Sequence, residues 1–215
     1  YATSDYASYN YSEDYTRIDL ALYSITNRDY PRIVTFEWYD TSSGNSGTPS
    51  EYLDAGSTYV NHSLINLTLG TTYRIRITIE NPNGVITYDT GYFYVTTKSY
   101  SSSDYGNYSY TAGFNNVHLY LSSITSREYE RTVYYYWENT RTGGSGTKNK
   151  PLLPGETSSD RDMLGLTMGD QYKFRIYVTN PVGVITYDTG YFYVTTLSYD
   201  YELSMALSST YNSIT

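Results

Sequence analysis

Residues 72–97 read TYRIRITIENPNGVITYDTGYFYVTT, and residues 171–196 repeat this stretch as QYKFRIYVTNPVGVITYDTGYFYVTT. The second half, GVITYDTGYFYVTT, is identical in the two copies. In the first half, apolar side chains occupy every second position, as at Ile75, Ile77 and Ile79. A period of two is typical of a strand with one face on a core, so both copies predict paired strands joined at an Asn-Pro turn.

The repeat extends far beyond this stretch. When the sequence is shifted by 99 positions and compared with itself, no gap is needed and about half of the positions are identical. We therefore predict two copies of one domain, residues 1–99 and residues 100–198. A C-terminal segment, residues 199–215, follows them.

Each copy contains short segments rich in Val, Ile, Thr, Tyr and Phe, separated by Gly, Pro and Asn turn signals. The strands predicted in the first copy lie near residues 4–12, 17–26, 32–40, 57–67, 72–81 and 85–97, with a weaker one near 51–54. Six or seven short strands in about 100 residues predict a two-sheet sandwich. No segment has the pattern of an amphipathic helix.

Both copies resemble immunoglobulin-like and fibronectin-type modules. VTFEWYD, around Trp38, is similar to the strand that carries the core tryptophan of such modules. LINLTLGTTYRIRITIENPNG, residues 64–84, is similar to their E-to-F corner with its tyrosine at Tyr73, and the second copy has Tyr172 there. The resemblance implies an all-β chain of two tandem sandwiches, but a fold of this kind implies no function.

Composition excludes several functions. The net charge is −8, so no basic surface is available to bind nucleic acid. No apolar run is long enough to span a membrane. Only 17% of the residues are charged, whereas tyrosine alone contributes 31 of 215. The first residue is Tyr1 rather than Met, which is typical of a processed secreted protein or of a trimmed fragment.

No residue pattern in the sequence indicates catalysis. His62 and His118 do not occupy matching positions of the two copies, and no nucleophile, zinc or phosphate-binding fingerprint occurs. Asp160 and Asp162 are close in sequence, but the first copy has Asn61 and Ser63 there, so a glycosidase-type carboxylate pair is not favoured. We expect a protein that is not an enzyme and has no cofactor and no metal.

Both copies also keep an aspartate within ITYDTGYF, Asp89 and Asp188. An aspartate before Thr-Gly can bond its own backbone, so these two predict a bend or bulge between strand segments.

The C-terminal segment contains a further strand pattern. Leu203, Met205 and Leu207 alternate with small residues, so one face of this segment is apolar. Two complete sandwiches leave no place for the C-terminal segment in a monomer. The N-terminal strand (residues 1–12) and its counterpart in the second copy (residues 100–111) are other candidates for strand exchange between chains. Strands exchanged head to tail between copies would form an open filament. An extra edge strand, or the first strand of further units, is the alternative.

This arrangement resembles donor-strand-complemented surface filaments, in particular archaeal threads and pilus-like fibres. The resemblance implies a secreted structural subunit at the cell surface whose main partner is a second copy of itself. The alternative is a tandem adhesin or carbohydrate-binding module of a larger secreted protein, in which exposed tyrosine rings would stack on sugars. Because the tyrosines are spread over every strand, a structural role is favoured for them.

Four sequons for N-linked glycans complete the candidate sites. They lie at Asn10, Asn61, Asn66 and Asn107. Covalent glycans would solubilise a chain that has few charges, so N-linked glycans are candidate covalent partners at these four residues. The motif by itself does not determine whether a sequon is occupied.

Overall fold

The computed structural model of the protein describes residues 1–199. The chain folds into two compact units, with the boundary between Tyr100 and Ser101. The predicted tail strand of Leu203, Met205 and Leu207 lies outside the described residues.

The first unit contains nine strands, several of them short. They are β1 (Ser8–Glu13), β2 (Arg17–Tyr23), β3 (Arg32–Asp40), β4 (Ser46–Gly47), β5 (Ser50–Leu53), β6 (Val60–Ile65), β7 (Thr72–Glu80), β8 (Ile86–Asp89) and β9 (Phe93–Thr96).

The second unit has eight strands, because one long strand replaces β4 and β5. They are β10 (Asn107–Ala112), β11 (Asn116–Ser122), β12 (Arg131–Asn139), β13 (Ser145–Leu152), β14 (Ser159–Leu164), β15 (Gln171–Thr179), β16 (Ile185–Asp188) and β17 (Phe192–Thr195).

Each unit consists of two antiparallel sheets. In the first unit, the smaller sheet has the order β1-β2-β6, and the larger sheet has β3 and β7 at its centre with β4, β5, β8 and β9 at its edges. The second unit repeats this with β10-β11-β14 and with β12 and β15 at the centre. Two antiparallel sheets around one core are the arrangement of a β-sandwich. The predicted all-β class and the two tandem sandwiches are therefore confirmed.

The alternating pattern places one apolar core inside each sandwich. In β7, the side chains of Tyr73, Ile75, Ile77 and Ile79 are buried and the intervening residues are half-exposed. They pack against the inward side chains of β2, such as Leu20. The second unit builds an equivalent core around β11 and β15.

Trp38 differs from the expectation of a core tryptophan. It is only half-buried at the margin of the core, and the fully buried aromatic ring of its strand is Phe36. The indole lies over Gly47 of the neighbouring strand, where a Cβ would approach Nε1 to 2.6 Å. The glycine is thus what allows the tryptophan to lie flat across the edge of the larger sheet.

The strand predicted over residues 85–97 is divided into β8 and β9. Asp89 Oδ1 accepts a hydrogen bond from the Gly91 backbone N–H at 2.9 Å, and Gly91 has φ +66°. Asp188 and Gly190 repeat this bend in the second unit. The bend that the two aspartates predict is present at both positions.

Candidate functional site

The first strand of each sandwich is the described segment on which the predicted strand exchange can be examined. β1 and β10 lie at the edge of the smaller sheet and pair on one side only, each through a ladder of six residue pairs. Neither strand contains a buried residue. Both strands belong to their own unit, so the two sandwiches are complete without a segment from another chain.

Aromatic rings hold these edge strands against the larger sheet. Tyr9 and Tyr11 face inward from β1, and their rings lie 4.7 and 5.8 Å from that of Phe93 in β9. Tyr108 and Tyr110 of β10 repeat the arrangement on Phe192, with distances of 4.6 and 5.8 Å. Part of the tyrosine excess therefore closes the open side of each sandwich.

A buried ionic cluster, which we call the entry clamp, fixes the segment that precedes β1. The Asp5 carboxylate and the Arg32 guanidinium both have fully buried side chains, with 3.1 Å between Oδ2 and Nη1. Arg28 Nε donates to Asp5 Oδ1 at 2.9 Å. The Thr87 hydroxyl donates to Oδ2 at 2.5 Å, and the Asp5 backbone N–H bonds the Thr87 carbonyl. The clamp thus joins the N-terminal segment to β3 and β8.

The second unit contains the same clamp. Asp104 is bonded by Arg127 Nε at 2.8 Å, by Arg131 Nη1 at 3.0 Å and by the Thr186 hydroxyl at 2.5 Å. The clamp was not predicted from the sequence in either unit. A signal was available, because the two copies share these four residues and a buried arginine is otherwise rare in a strand.

The charges in the clamp determine how it titrates. Burial by itself raises the pKa of Asp5, but the hydrogen bonds from Thr87 and Arg28 and the contact with Arg32 outweigh burial, so the pKa is lower than that of a free aspartate. The pKa of Asp104 is lowered for the same reasons. Both carboxyls therefore remain ionised well into the acidic range, and the clamp is a fully charged buried network.

The other sheet edges carry features that discourage pairing with foreign strands. Pro49 separates β4 from β5, and the matching edge strand β13 carries Lys148 and Lys150. β14 has Asp160, Arg161 and Asp162 in sequence. The opposite edge of each larger sheet consists of two four-residue strands separated by a bend.

Three of the four predicted glycosylation residues lie on strands of the smaller sheets, and the fourth directly follows such a strand. Asn10, Asn61 and Asn107 are exposed on β1, β6 and β10, and Asn66, also exposed, follows β6 in a turn with φ +58°. Asn10 and Asn61 flank Ala21 in a single cross-strand row. Since these three residues are paired across the sheet, they share its outer face.

The outer face of each larger sheet has a different character. In the first unit, Arg76 pairs with Asp89 through two hydrogen bonds of 2.9 and 2.6 Å, and the Arg74 guanidinium lies 4.4 Å from the ring centre of Tyr92. In the second unit, the rings of Tyr134 and Tyr177 stack at 4.8 Å. Charged groups and rings therefore form one connected layer on this face.

The histidines and the close pair of aspartates have structural partners. His62 Nδ1 lies 2.8 Å from Glu51, and His118 Nδ1 lies 2.9 Å from Asp162. Asp160 is paired with Lys150. Among residues 1–199, no group of three or more His, Asp or Glu side chains is arranged to hold a metal ion. In the same part of the chain, no helix is long and apolar enough to cross a bilayer.

Comparison with known proteins gave matches to solved structures only. No family model matches the chain, and no curated protein matches it. One similar structure is a segment of two fibronectin type III domains from chicken tenascin, with 15% identity, a TM-score of 0.37, and coverage of 90% of this chain and 100% of that one. Another contains the FN1–FN3 domains of chicken CNTN1, with 10% identity, a TM-score of 0.40, and coverage of 88% of this chain and 66% of that one.

Proposed function

We propose that the protein is a structural subunit of an extracellular surface filament, similar to archaeal threads, in which copies join head to tail by exchange of a β-strand. The observation that carries this proposal is the nature of β1 and β10. Each is an edge strand without a buried residue. It is held by hydrogen bonds to one neighbouring strand and by contacts of its tyrosine rings with a phenylalanine of the larger sheet. A strand with such contacts can be replaced by an equivalent strand from another copy with little loss of core.

The C-terminal segment provides a candidate for the incoming strand. Its apolar residues, Leu203, Met205 and Leu207, have the same spacing as the inward residues Tyr9 and Tyr11. Placed beside β2, this segment would bury aliphatic side chains where β1 presents half-exposed rings. The main partner is therefore a second copy of the chain, with N-linked glycans on the exposed sequons as covalent partners.

Electron microscopy of the secreted chain tests the proposal. We expect beaded fibres from the full chain and dispersed particles after deletion of residues 199–215. Deletion of residues 1–12 is a poorer test, because it also removes Asp5 and leaves the buried Arg32 without its carboxylate. Fibres that persist without residues 199–215 would exclude the tail as the joint, and dispersed full-length chains would exclude the filament.

Paired cysteines identify the exchanged strand, since the chain has no cysteine of its own. Ser8 and Tyr23 are partners in the β1–β2 ladder. If β1 is exchanged, the variant S8C/Y23C forms disulfides between chains after oxidation, and denaturing electrophoresis shows a ladder of oligomers. The control T35C/T78C joins two strands that remain within one sandwich, so it gives monomers in every case.

A second candidate function, a carbohydrate-binding adhesin, is favoured by the outer face of the larger sheet in the second unit. There Arg175 lies 5.7 Å from the ring centre of Tyr191, close to the stacked rings of Tyr134 and Tyr177. Neighbouring aromatic rings of this kind can accept a sugar. Binding of the soluble chain to a glycan array, lost on Tyr191→Ala and Tyr177→Ala, would support this function.

A further inference from the structure

Two of the four sequons belong to a longer pattern. The sequence around Asn61 is Tyr-Val-Asn-His-Ser, and that around Asn107 is Tyr-Gly-Asn-Tyr-Ser, so each asparagine follows a tyrosine by two positions. In an extended chain, residues two apart point to the same side. Tyr59 and Tyr105 are therefore placed to share a surface with the asparagine that follows.

In the first unit, the residues around Asn61 have this geometry. Val60 points into the core, whereas Tyr59 is 56% exposed and Asn61 is exposed. Tyr59 and Asn61 line the same groove of about 250 Å³, which also includes Ala21 and Asn10. Ala21 lies on β2, between Asn10 of β1 and Asn61 of β6, and its small side chain leaves space above the sheet.

In the second unit, Gly106 determines the direction of its neighbours. A Cβ on Gly106 would lie 3.0 Å from Ile124 Cδ1, so this position faces inward and Tyr105, 83% exposed, faces solvent. The matching pair in the first unit, Tyr6 and Ser8, shows how close two such side chains come. The Tyr6 hydroxyl lies 3.3 Å from Ser8 Oγ.

We propose that Tyr59 and Tyr105 are stacking platforms for the first sugar of N-linked glycans on Asn61 and Asn107. The proposal rests on the glycosylation proposed above. A pyranose ring has one face covered by C–H groups, which packs on an aromatic ring while the sugar hydroxyls and the tyrosine hydroxyl remain in water. The ring and the sugar then shield each other, and the glycan stabilises the strand that carries it.

The other two sequons provide internal controls. Two positions before Asn66 is Leu64, whose side chain is buried in the core, and two positions before Asn10 is Ser8. Neither asparagine therefore has a ring on its own strand at this position. We expect a glycan at Asn66 to be attached without this type of contact, and a glycan at Asn10 to have no platform on its own strand, although Asn10 lines the same groove as Tyr59.

A double-mutant cycle tests the platform at Asn61. The chain is secreted from yeast, and its glycans are trimmed enzymatically to a single N-acetylglucosamine. Thermal unfolding is then compared for the parent chain, Tyr59→Thr, Asn61→Gln and the double variant. We expect the sugar to raise the unfolding temperature of the first unit by roughly 2–6 °C when Tyr59 is present and by less than about 1 °C in Tyr59→Thr.

The control variant is Tyr52→Thr. Tyr52 is 79% exposed on β5 and lines a different groove, with Pro31 and Pro82, that contains no sequon residue, so its removal should leave the effect of the sugar unchanged. A second measurement is the NMR signal of the sugar ring protons, which a tyrosine ring shifts upfield and which should move back in Tyr59→Thr. An equal sugar effect in both backgrounds, with no change in the sugar signals, would overturn the platform.

Intact mass separates failure of the platform from failure of glycosylation. If the mass shows the sugar on Asn61 and the cycle shows no coupling, only the stacking proposal is wrong. If native and secreted chains both have the mass of the bare polypeptide, the glycosylation itself is wrong and the platform is overturned with it.

Discussion

The two units differ most at their edges and share the main features of their interiors. The entry clamp, the inward tyrosines of the first strand and the aspartate bend occur in both. The edges have diverged, since Lys148 and Lys150 stand in place of Pro49 and Glu51, and the Asp160–Asp162 sequence stands in place of Asn61–Ser63. Repacking a core requires several coordinated changes, whereas an exposed edge residue can change alone. The edges are therefore where the copies can acquire separate roles.

The largest expected effect tests the feature that both units share. We expect Asp5→Asn to lower the free energy of unfolding of the first unit by about 3–5 kcal/mol, because it leaves the Arg32 charge buried without its partner. Asp104→Asn should do the same in the second unit. Hydrogen exchange, followed peptide by peptide in the full chain, measures each unit separately.

The control for the clamp is an exposed aspartate that contacts a histidine. Asp162→Asn removes the carboxylate charge 2.9 Å from His118 Nδ1, and the Asp162 side chain is 55% exposed, so the loss should stay below about 1 kcal/mol. If Asp5→Asn or Asp104→Asn had an effect as small as this control, the clamp would not be a determinant of stability.

We expect a smaller loss of stability, of equal size in the two units, when the hydroxyl of the corner tyrosine is removed from Tyr73 or from Tyr172. The Thr68 backbone N–H donates to the Tyr73 hydroxyl at 2.8 Å, and Thr167 and Tyr172 repeat the bond. Tyr73→Phe and Tyr172→Phe should each cost about 0.5–1.5 kcal/mol, the net value of one hydrogen bond. Chemical denaturation measures it, and the exposed Tyr94→Phe serves as the control. A large difference between the two units would contradict their equivalence.

An effect of opposite sign is expected where the cores differ. Tyr135 and Ser159 stand where the first unit has Phe36 and Val60. Neither buried hydroxyl makes a hydrogen bond of good geometry among the described residues. Burial raises the pKa of Tyr135 to about 12, and the nearby Ser159 hydroxyl opposes this rise. Replacing both, Y135F/S159V, should leave the second unit at least as stable, with a gain of up to about 1 kcal/mol. A loss in urea denaturation greater than about 1 kcal/mol would show that the two hydroxyls stabilise the core.

The smallest expected effect appears only in acid. Hydrogen bonds from the Ser42 side chain and the Ser43 backbone lower the pKa of Asp40 from 3.8 to about 2. Because the folded pKa is depressed, the stabilisation by this carboxylate is complete above about pH 4 and is lost as the pH falls through 2. The second unit has Asn139 at this position, whose amide oxygen accepts the corresponding backbone bonds.

Asp40→Asn should therefore abolish the pH dependence of the Ser42 and Ser43 amide signals between pH 4 and pH 2. An NMR titration of the parent chain measures the midpoint of the Asp40 carboxyl directly. A midpoint near 3.8 would mean that the turn does not favour the ionised form.

Much of the fold could be predicted from the sequence because the relevant signals are local. The alternation Ile75, Ile77, Ile79 predicted a strand with one buried face, and β7 has that pattern. Asp89 predicted a bend through contacts within two residues. The half-buried position of Trp38 was not predicted, since it depends on the close approach of Gly47 from another strand.

The candidate site was less predictable, because it depends on residues distant in sequence. The clamp joins Asp5 to Thr87, 82 positions apart, and no local pattern relates them. The sequons could be found by their motif, but their common location on the smaller sheets follows from strand order.

By itself, the sequence determined that the protein is two copies of one all-β sandwich, because a period of two and a repeat of 99 positions are properties of the chain alone. Only the tertiary structure decided which strands lie at edges, that β1 and β10 complete their own units, and that Asp5 and Asp104 are ionised in the interior. The physical reason is that burial and charge pairing depend on which segments meet in space, and alternation determines only which side of a strand faces inward.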